Sequence, residues 1–383
     1  MAGGYVDHNS SKFAAGLMWK LLNRGLRVFI RNCWYVAGWD HEFEPRKLHE
    51  RLILNEPVVI YRKQDGALVA LENRCVHRFA ALSLGCLEGD DLRCMYHGFK
   101  YAPSGLCVEI PGQESVPGAA RVRRYPIVER HSWAWIWMGD PELADESLIP
   151  PAKGFDDPNW VLRCGFLDYN ANYKLINDNL TDLSHLSFTH KDSFKAGPHW
   201  VLARPTVVQL ERGVRVQRWV TDPPPPYLRD YQSATIDKLS EYDYLVPGIF
   251  LLHTALFPNG TADTVKGGGA APSPLWETFS CQAVTPSTGR ATRYFFSWGP
   301  GCRHGSAADA DAMFQIALQA FAEDKVVIEA QQRIIDLDPS RQILATRADM
   351  AAMTFERLMN KLMAEEATAV RSGAARSTLS PRQ

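Results

Sequence analysis

The chain has 383 residues, of which 46% are hydrophobic and 22% are charged, and its formal net charge is −1. The length predicts two or three globular domains. The near-zero charge argues against nucleic acid as a partner, because phosphate binding favours a basic surface. No apolar run is long enough to cross a membrane, and the first residues do not resemble a secretory signal.

The N-terminal half predicts a helical extension followed by a β-rich domain. Residues 1–30 place apolar side chains at helical spacing with basic residues between them. A basic amphipathic helix can lie on a membrane surface, but packing against the protein body or a second subunit is the favoured interpretation. Residues 31–150 predict short strands, including a hairpin around Asp65-Gly66 in "PVVIYRKQDGALVALENR".

A Pro-rich and acidic stretch, "PELADESLIPPAKGFDDPN", predicts the boundary to a second domain over residues 151–367. "ANYKLINDNLTDLSHLSF" predicts a helix, and two strands are expected around Arg212-Gly213. "WETFSCQAVTPSTGRATRYFFSWG" predicts a long hairpin, and residues 309–337 predict a long helix. The polar tail, residues 368–383, is expected to be disordered.

Eight cysteines are scattered along the chain, unlike the dense framework of a small secreted protein. We therefore expect a cytoplasmic protein with reduced thiols. Cys75 and Cys94 have histidine partners at ligand spacing and lie close together in the chain. Cys86 lies between them, has no assigned role and is expected to be a buried thiol.

The pairs Cys75-x-His77 and Cys94-x-x-His97 are separated by sixteen residues and predict a metal centre held by two loops. A structural zinc site is one interpretation, since zinc also binds two Cys and two His. In a zinc site, however, both cysteines would usually lie on one loop. One Cys and one His per loop favours a Rieske [2Fe–2S] cluster, in which one iron takes two Cys and the other takes two His.

A second metal site is indicated by Asp182, His185 and His190. Asp182 and His185 are three residues apart, so they are expected to share a helix face. Open non-heme Fe(II) sites use two His and one carboxylate. In the long helix, Asp324 falls on a mostly apolar stripe, where an unpaired acid would be costly. Asp324 is therefore the preferred carboxylate ligand, and Glu323 and Glu329 remain alternatives.

The first motif resembles that of the Rieske non-heme iron aromatic oxygenases, and Asp182-x-x-His185-x-x-x-x-His190 resembles their mononuclear-iron motif. "AEDKVVIEAQQ" resembles the segment that carries the carboxylate ligand in vanillate O-demethylase-type oxygenases. The resemblance implies an α+β fold with a β-rich Rieske domain. It further implies a catalytic domain with a curved antiparallel sheet and helices, of the helix-grip, START-like type.

The resemblance also implies residue roles and partners. Asp182 would connect the Rieske centre of one subunit, through His97, to the iron of its neighbour in a head-to-tail homotrimer. Asn179 would be a hydrogen-bonding residue near the iron. A separate NAD(P)H-dependent reductase, with or without a ferredoxin, would supply electrons, because "KGGGAAP" lacks the context of a nucleotide-binding fingerprint.

We expect a monooxygenase that hydroxylates a methyl or side-chain carbon of an aromatic compound with O2, with O-demethylation as the leading reaction. Ring cis-dihydroxylation, N-demethylation and a Rieske electron carrier are the alternatives. The loop over residues 221–233 is a candidate lid. Candidates for an aromatic-binding cavity, each equally compatible with ordinary sheet core, are Phe250, Leu252, His253, Phe296 and Trp298.

Overall fold

The computed structural model describes residues 29–224, 233 and 235–378, with side chains through Ala369. The N-terminal helix expected over residues 1–30 lies outside this range, except for its last two residues. Most of the candidate lid is outside it as well.

The first domain is built from short strands and 3-10 helices. Its strands are β1 (Trp34–Trp39), β2 (His49–Ile53), β3 (Glu56–Arg62), β4 (Leu68–Glu72), β5 (Cys86–Glu88), β6 (Asp91–Arg93), β7 (Lys100–Tyr101), β8 (Cys107–Glu109), β9 (Arg124–Tyr125), β10 (Ile127–Arg130) and β11 (Trp133–Trp137). Its 3-10 helices are Asp40–Glu42, Leu82–Leu84, Pro141–Leu143 and Glu146–Leu148.

The second domain combines long strands with helices. Its strands are β12 (Arg163–Tyr169), β13 (Thr206–Leu210), β14 (Gly213–Thr221), β15 (Ile236–Leu245), β16 (Ile249–Pro258), β17 (Trp276–Thr288) and β18 (Ala291–Pro300). Its helices are α1 (Tyr173–Thr181), a 3-10 helix (Leu183–Ser187), α2 (Pro198–Leu202), α3 (Thr261–Lys266), α4 (Ala307–Leu337) and α5 (Met350–Thr378).

The strands form four sheets, and the expected α+β organisation is confirmed. The largest sheet has the order β12-β18-β17-β16-β15-β14-β13 and is antiparallel throughout. The first domain contains the sheets β1-β11-β10, β2-β3-β4-β9 and β5-β6-β7-β8. The hairpin around Asp65-Gly66 is confirmed as β3–β4, with Gly66 at φ +88°. The two expected pairs of the second domain are confirmed as β13–β14 and β17–β18.

In the sheet β1-β11-β10, the strands β1 and β11 are buried on both faces and join the two domains. Every residue of β1 and of β11 is buried. One face, which includes Trp34 and Trp133, packs against the large sheet through Leu251 and Phe295. We call that side of the large sheet its outer face and the opposite side its inner face. The other face of β1-β11-β10 belongs to a core that continues from β3 and β4 into α1, α4 and α5.

The C-terminal helix α5 closes this core. Glu366 accepts hydrogen bonds from the backbone N–H groups of Arg31 and Asn32, which precede β1, at 2.6–3.1 Å. A disordered tail was expected from residue 368, but α5 continues to Thr378.

Glu366→Ala should lower the free energy of unfolding by about 1–3 kcal/mol, because two partly buried donors lose their acceptor. Urea denaturation followed by circular dichroism measures this change. Glu365→Ala is the matched control, since Glu365 is exposed and lies 3.9 Å from Lys361. It should shift stability by less than about 0.5 kcal/mol. Equal effects of the two substitutions would contradict a structural role for the Glu366 contacts.

Candidate metal centres and substrate cavity

The two Cys/His loops share one backbone design. Cys75 N–H donates to the carbonyl of Ala80 at 2.9 Å, and Cys94 N–H donates to that of Phe99 at 2.8 Å. The carbonyls of Cys75 and Cys94 accept from the residues four positions later, Phe79 and Gly98, at 3.0 and 3.1 Å. Both later residues have positive φ, +58° and +74°. The loops are therefore matched turns that present their donors to a common space.

The donor atoms of these loops are too far apart for one zinc ion. Zinc holds sulfur at about 2.3 Å and nitrogen at about 2.0–2.1 Å, so donors on one ion lie within about 4.6 Å of each other. No three of Cys75, His77, Cys94 and His97 lie within 4.8 Å of one another. Both cysteines are buried, whereas both histidines are exposed. This separation fits a two-iron cluster with its sulfur ligands inside and its imidazoles outside.

Tyr101 supports the buried side of the first centre. Its hydroxyl lies 3.1 Å from Cys75 Sγ and accepts a hydrogen bond from Val76 N–H at 3.2 Å. Burial and the neighbouring thiol raise the pKa of Tyr101, so the hydroxyl keeps its proton and is able to donate to a sulfur ligand. The expectation of a buried Cys86 is wrong: its side chain points outward from the short strand β5 and is exposed.

The second site begins where α1 ends. The expected single helix through residue 188 is broken at Asp182, which has φ −124° and ψ 99°. The Asp182 carboxylate accepts from Ser184 N–H at 2.9 Å and from its hydroxyl at 2.8 Å, which starts the 3-10 helix. Asp182 and His185 therefore do not share a helix face, because Asp is a strong N-cap and begins a new helix.

The structure brings together the two histidines and the aspartate preferred from the sequence. His185, His190 and Asp324 each offer a ligand atom, and these atoms all lie within 4.8 Å of one another. Asp324 Oδ1 is 3.1 Å from His190 Nε2 and 3.6 Å from His185 Nε2. Within the part of the chain that the structure describes, this is the one such group compact enough for a single ion.

The outer nitrogen of each imidazole is held by an acceptor. His185 Nδ1 lies 2.7 Å from the backbone carbonyl of Asp182, and His190 Nδ1 lies 2.8 Å from Glu323 Oε2. These acceptors favour the tautomer with a proton on Nδ1, which leaves both Nε2 lone pairs for a metal. Burial lowers the pKa of His185 and favours its neutral form. For His190, burial is outweighed by Asp324 and Glu323, and the pKa is raised.

The surroundings of Asp324 fit a cation. Its side chain is buried, and among the described residues its charged contacts are His185 and His190 alone, with no Lys or Arg. A buried carboxylate is costly unless it is paired or metal-bound. Asn179 Nδ2 donates to Asp324 Oδ1 at 3.0 Å and lies 3.4 Å from His185 Nε2. Glu329 is elsewhere on α4 and accepts from the backbone of Asn170.

A cavity of about 230 Å³ opens directly onto these residues. A cavity of about 150 Å³ in another protein accommodates benzene, so this volume suits a substituted aromatic ring. Of the candidates proposed from the sequence, Phe250, Leu252 and Trp298 line the cavity. Phe296 is packed in the core. His253 lies on the outer face of the large sheet, with Nε2 3.0 Å from a carboxylate oxygen of Glu277.

Sequence reasoning missed polar residues of the cavity wall. Lys238 and Gln282 both line the cavity, and Gln282 Oε1 is buried without a hydrogen-bond partner. Both lie on strands at positions that alternate with outward-facing residues. On β15, Lys238 occupies an inward position of the same alternation as Ser240 and Tyr242. A lysine at such a position was the signal in the sequence for a polar residue in the cavity wall.

Comparison with known proteins agrees with this geometry. Residues 33–126 match the Rieske [2Fe-2S] domain family, and residues 169–365 match the family described as vanillate O-demethylase oxygenase C-terminal domain. The chain belongs to the Rieske oxygenases of the vanillate O-demethylase type. Its cofactors are a Rieske [2Fe–2S] cluster and a mononuclear iron, as expected from the sequence.

Relatives cover nearly the full length of this Rieske oxygenase. The toluene-4-sulfonate monooxygenase system iron-sulfur subunit of Comamonas testosteroni is 36% identical over 88% of this chain and 98% of its own. A vanillate O-demethylase oxygenase subunit from a Pseudomonas species is 29% identical over 88% and 96%. A crystal structure of dicamba monooxygenase with non-heme iron and dicamba is 28% identical, with a TM-score of 0.71 and coverage of 89% and 99%.

We expect Glu323→Gln to weaken Fe(II) binding about 10- to 100-fold, because it removes the charge behind His190 Nδ1. Asp324→Asn should weaken it further, since it removes a ligand. Competition with a chromophoric Fe(II) chelator under anaerobic conditions measures both. Glu329→Gln, on the same helix, should bind Fe(II) like the wild type. Loss of iron from Glu329→Gln with normal binding in Asp324→Asn would reverse the choice of ligand.

Proposed function

We propose that this chain is the oxygenase component of a multi-component system that hydroxylates a methyl or side-chain carbon of an aromatic compound. The observation that carries the proposal is the apolar cavity that opens onto His185, His190 and Asp324. When the methyl group belongs to an aryl ether, the hydroxylated product is a hemiacetal, which releases formaldehyde and leaves a phenol. The names of its relatives, an O-demethylase and a toluene-sulfonate monooxygenase, support both types of methyl oxidation.

In this proposal each centre has defined ligands. Cys75, His77, Cys94 and His97 hold the [2Fe–2S] cluster, and His185, His190 and Asp324 hold the iron. When bound, the cluster supplies electrons one at a time and the iron supplies activation of O2.

The chain's own residues position these groups and exclude water. Asn179 donates to Asp324 and fixes the orientation of the carboxylate. Leu183, Phe194 and Trp298 give the cavity apolar walls close to the ligands, with the Phe194 ring 5.1 Å from that of His190. These walls hold an aromatic ring and keep bulk water away from the reacting carbon.

Electron delivery is proposed to occur between subunits of a homotrimer. His77 and His97 are exposed, and so are the large apolar side chains of Val76, Phe79 and Tyr96 around them. An exposed apolar patch of this kind is typical of a docking surface. The neighbour's Asp182 would receive the hydrogen bond of His97. In the present chain Asp182 contacts His185 through its backbone carbonyl, and its half-buried carboxylate accepts from Ser184.

Electrons would come from a separate NAD(P)H-dependent reductase, with or without a ferredoxin. This agrees with the relatives, which are named as oxygenase components or as an iron-sulfur subunit of a monooxygenase system. Among the described residues, no helix is long and apolar enough to cross a membrane. Activity in the cytoplasm, where the eight cysteines would stay reduced, is part of the proposal.

Metal analysis and a single-turnover assay test the function. The purified protein should contain two irons and two acid-labile sulfides in the cluster and one further iron, about three irons in all. Reduced protein mixed with O2 and aryl methyl ethers should yield formaldehyde, whereas aryl methyl compounds should yield benzylic alcohols. A cis-diol product would instead assign ring dioxygenation. Two irons and two sulfides, with no third iron after anaerobic Fe(II) loading, would leave only an electron carrier.

Asp182→Asn tests the route of the electrons. Asn caps a helix as well as Asp does, and the contact to His185 uses the backbone, so folding and both metals should be retained. Turnover should fall at least tenfold, because the bridge loses its charge. Asp192→Asn, an exposed aspartate in the following loop, should behave like the wild type. Normal turnover in Asp182→Asn would rule out the bridging role.

A further inference from the structure

Lys238 occupies an unusual position for a lysine. It lies on β15, where Ile236, Ser240, Tyr242 and Tyr244 of the same alternation are all buried. Its side chain is half-buried and lines the cavity that contains the iron ligands. The charged end of a lysine is normally exposed to solvent and not held against an apolar wall. We therefore expect the ammonium group of Lys238 to have a partner inside the cavity.

Among the residues that the structure describes, none supplies an anion to Lys238. Its ladder neighbours are Val220 on β14 and Leu256 on β16, both apolar. Its ammonium lies 5.0 Å from the ring centroid of Trp200, a cation–π contact that fixes its place. Among the described residues it forms no ion pair, and burial alone lowers the pKa of Lys238 to about 8.

Other charged groups face the same space but do not neutralise the lysine. Arg218, on β14, contacts the Trp200 ring at 4.8 Å and adds positive charge. Asp237 lies on the opposite face of β15, where it accepts from Ala262 N–H. The charged or titratable residues that line the cavity besides Lys238 are His185, His190, Lys195, His199 and Asp324. The single carboxylate in that group is already engaged by the two histidines.

Hydroxyl groups stand beside the lysine. Ser240, Thr254 and Thr278 lie opposite one another on three neighbouring strands, and all three line the cavity. Ser240 follows Lys238 by two residues on the same face of β15. A half-buried cation on the same cavity wall as three hydroxyl groups is an arrangement that suits a carboxylate or a sulfonate.

Lys238 and the iron ligands lie at different ends of the cavity. Trp298, whose ring stacks edge-on with Phe194 beside His190, is three strands away from Lys238. Trp298 is also displaced from Lys238 by four residues along the strand direction. This follows from the register, in which Trp298 pairs with Ser280 and Ser280 pairs with Leu252. Strand geometry makes the displacement across the strands and the displacement along them roughly 14 Å each. The side chains at the two ends and one aromatic ring between them can span this separation.

We propose that Lys238 is the specificity-determining residue of this oxygenase, and that it binds a carboxylate or sulfonate group of the aromatic substrate. The anionic group is held at the Lys238 end, with the hydroxyls of Ser240, Thr254 and Thr278 beside it. The carbon to be oxidised then lies at the other end of the ring, next to His185, His190 and Asp324. The inference rests on the proposed function, which it narrows to anionic aromatic substrates.

Isothermal titration of the anaerobic, metal-loaded protein tests the proposal without turnover. The probes are 4-methoxybenzoate and 4-toluenesulfonate, together with their neutral counterparts 4-methoxybenzamide and methyl 4-tolyl sulfone. Wild-type protein should bind each anion more tightly than its neutral counterpart. Lys238→Met should weaken anion binding about 10- to 100-fold and change neutral binding by less than about threefold. Lys238→Arg should keep most of the preference.

Two further measurements separate a binding role from an indirect one. Anion affinity should be constant below about pH 8 and fall about tenfold per pH unit above it, because only the charged ammonium binds the anion. Neutral probes, and all probes with Lys238→Met, should lack this dependence. Lys266→Met removes an exposed lysine of the same domain and should match the wild type.

Three results would overturn the proposal. These are unchanged anion preference in Lys238→Met, equal binding of anions and their neutral counterparts by the wild type, and failure of the wild type to bind either anion at millimolar concentration. Iron and sulfide contents of each variant show that both centres are intact. If the protein prefers anions but binds no third iron, the proposed function is wrong, whereas the proposed anion site is supported.

Discussion

The burial of one negative charge, that of Asp324, governs the arrangement of the catalytic domain. The 31-residue helix α4 carries this carboxylate toward α1 and the loop that follows it, where no lysine or arginine of the described chain forms an ion pair with it. Such a charge is stable only when a positive centre lies beside it. The acceptors behind His185 and His190 turn both rings toward the same point, so three separate segments become mutually dependent through a single ion.

The two centres place their ligands in opposite environments. The proposed cluster ligands His77 and His97 are exposed on the first domain, whereas the proposed iron ligand His190 is buried beneath apolar walls. An electron carrier must be accessible to its redox partners, because electrons pass only between centres that lie close together. An oxygen-activating site must instead be shielded, since water and stray reductants would divert its chemistry. The fold satisfies both needs by assigning each centre to a different domain.

The features predictable from the sequence were those fixed by local spacing. The Cys-His pairs, the hairpin around Asp65-Gly66 and the polar position of Asp324 on an apolar stripe all depend on nearby residues. The break at Asp182 was missed because an aspartate can either continue a helix or cap the next one, and hydrophobic periodicity does not distinguish these roles. Glu323 was considered only as an alternative ligand, because its contact with His190 joins distant segments. Lys238 was missed, because register in the large sheet decides which side chains face the cavity.

The continuous core between the domains has a consequence for protein engineering. The strands β1 and β11 belong to the cluster-bearing domain in sequence, yet their tryptophans complete the core of the large sheet. A fragment cut near residue 150 would expose these indoles on one piece and Leu251 and Phe295 on the other. Exchange of cluster domains between homologous enzymes should therefore succeed only when the recipient's β1-β11-β10 sheet is kept.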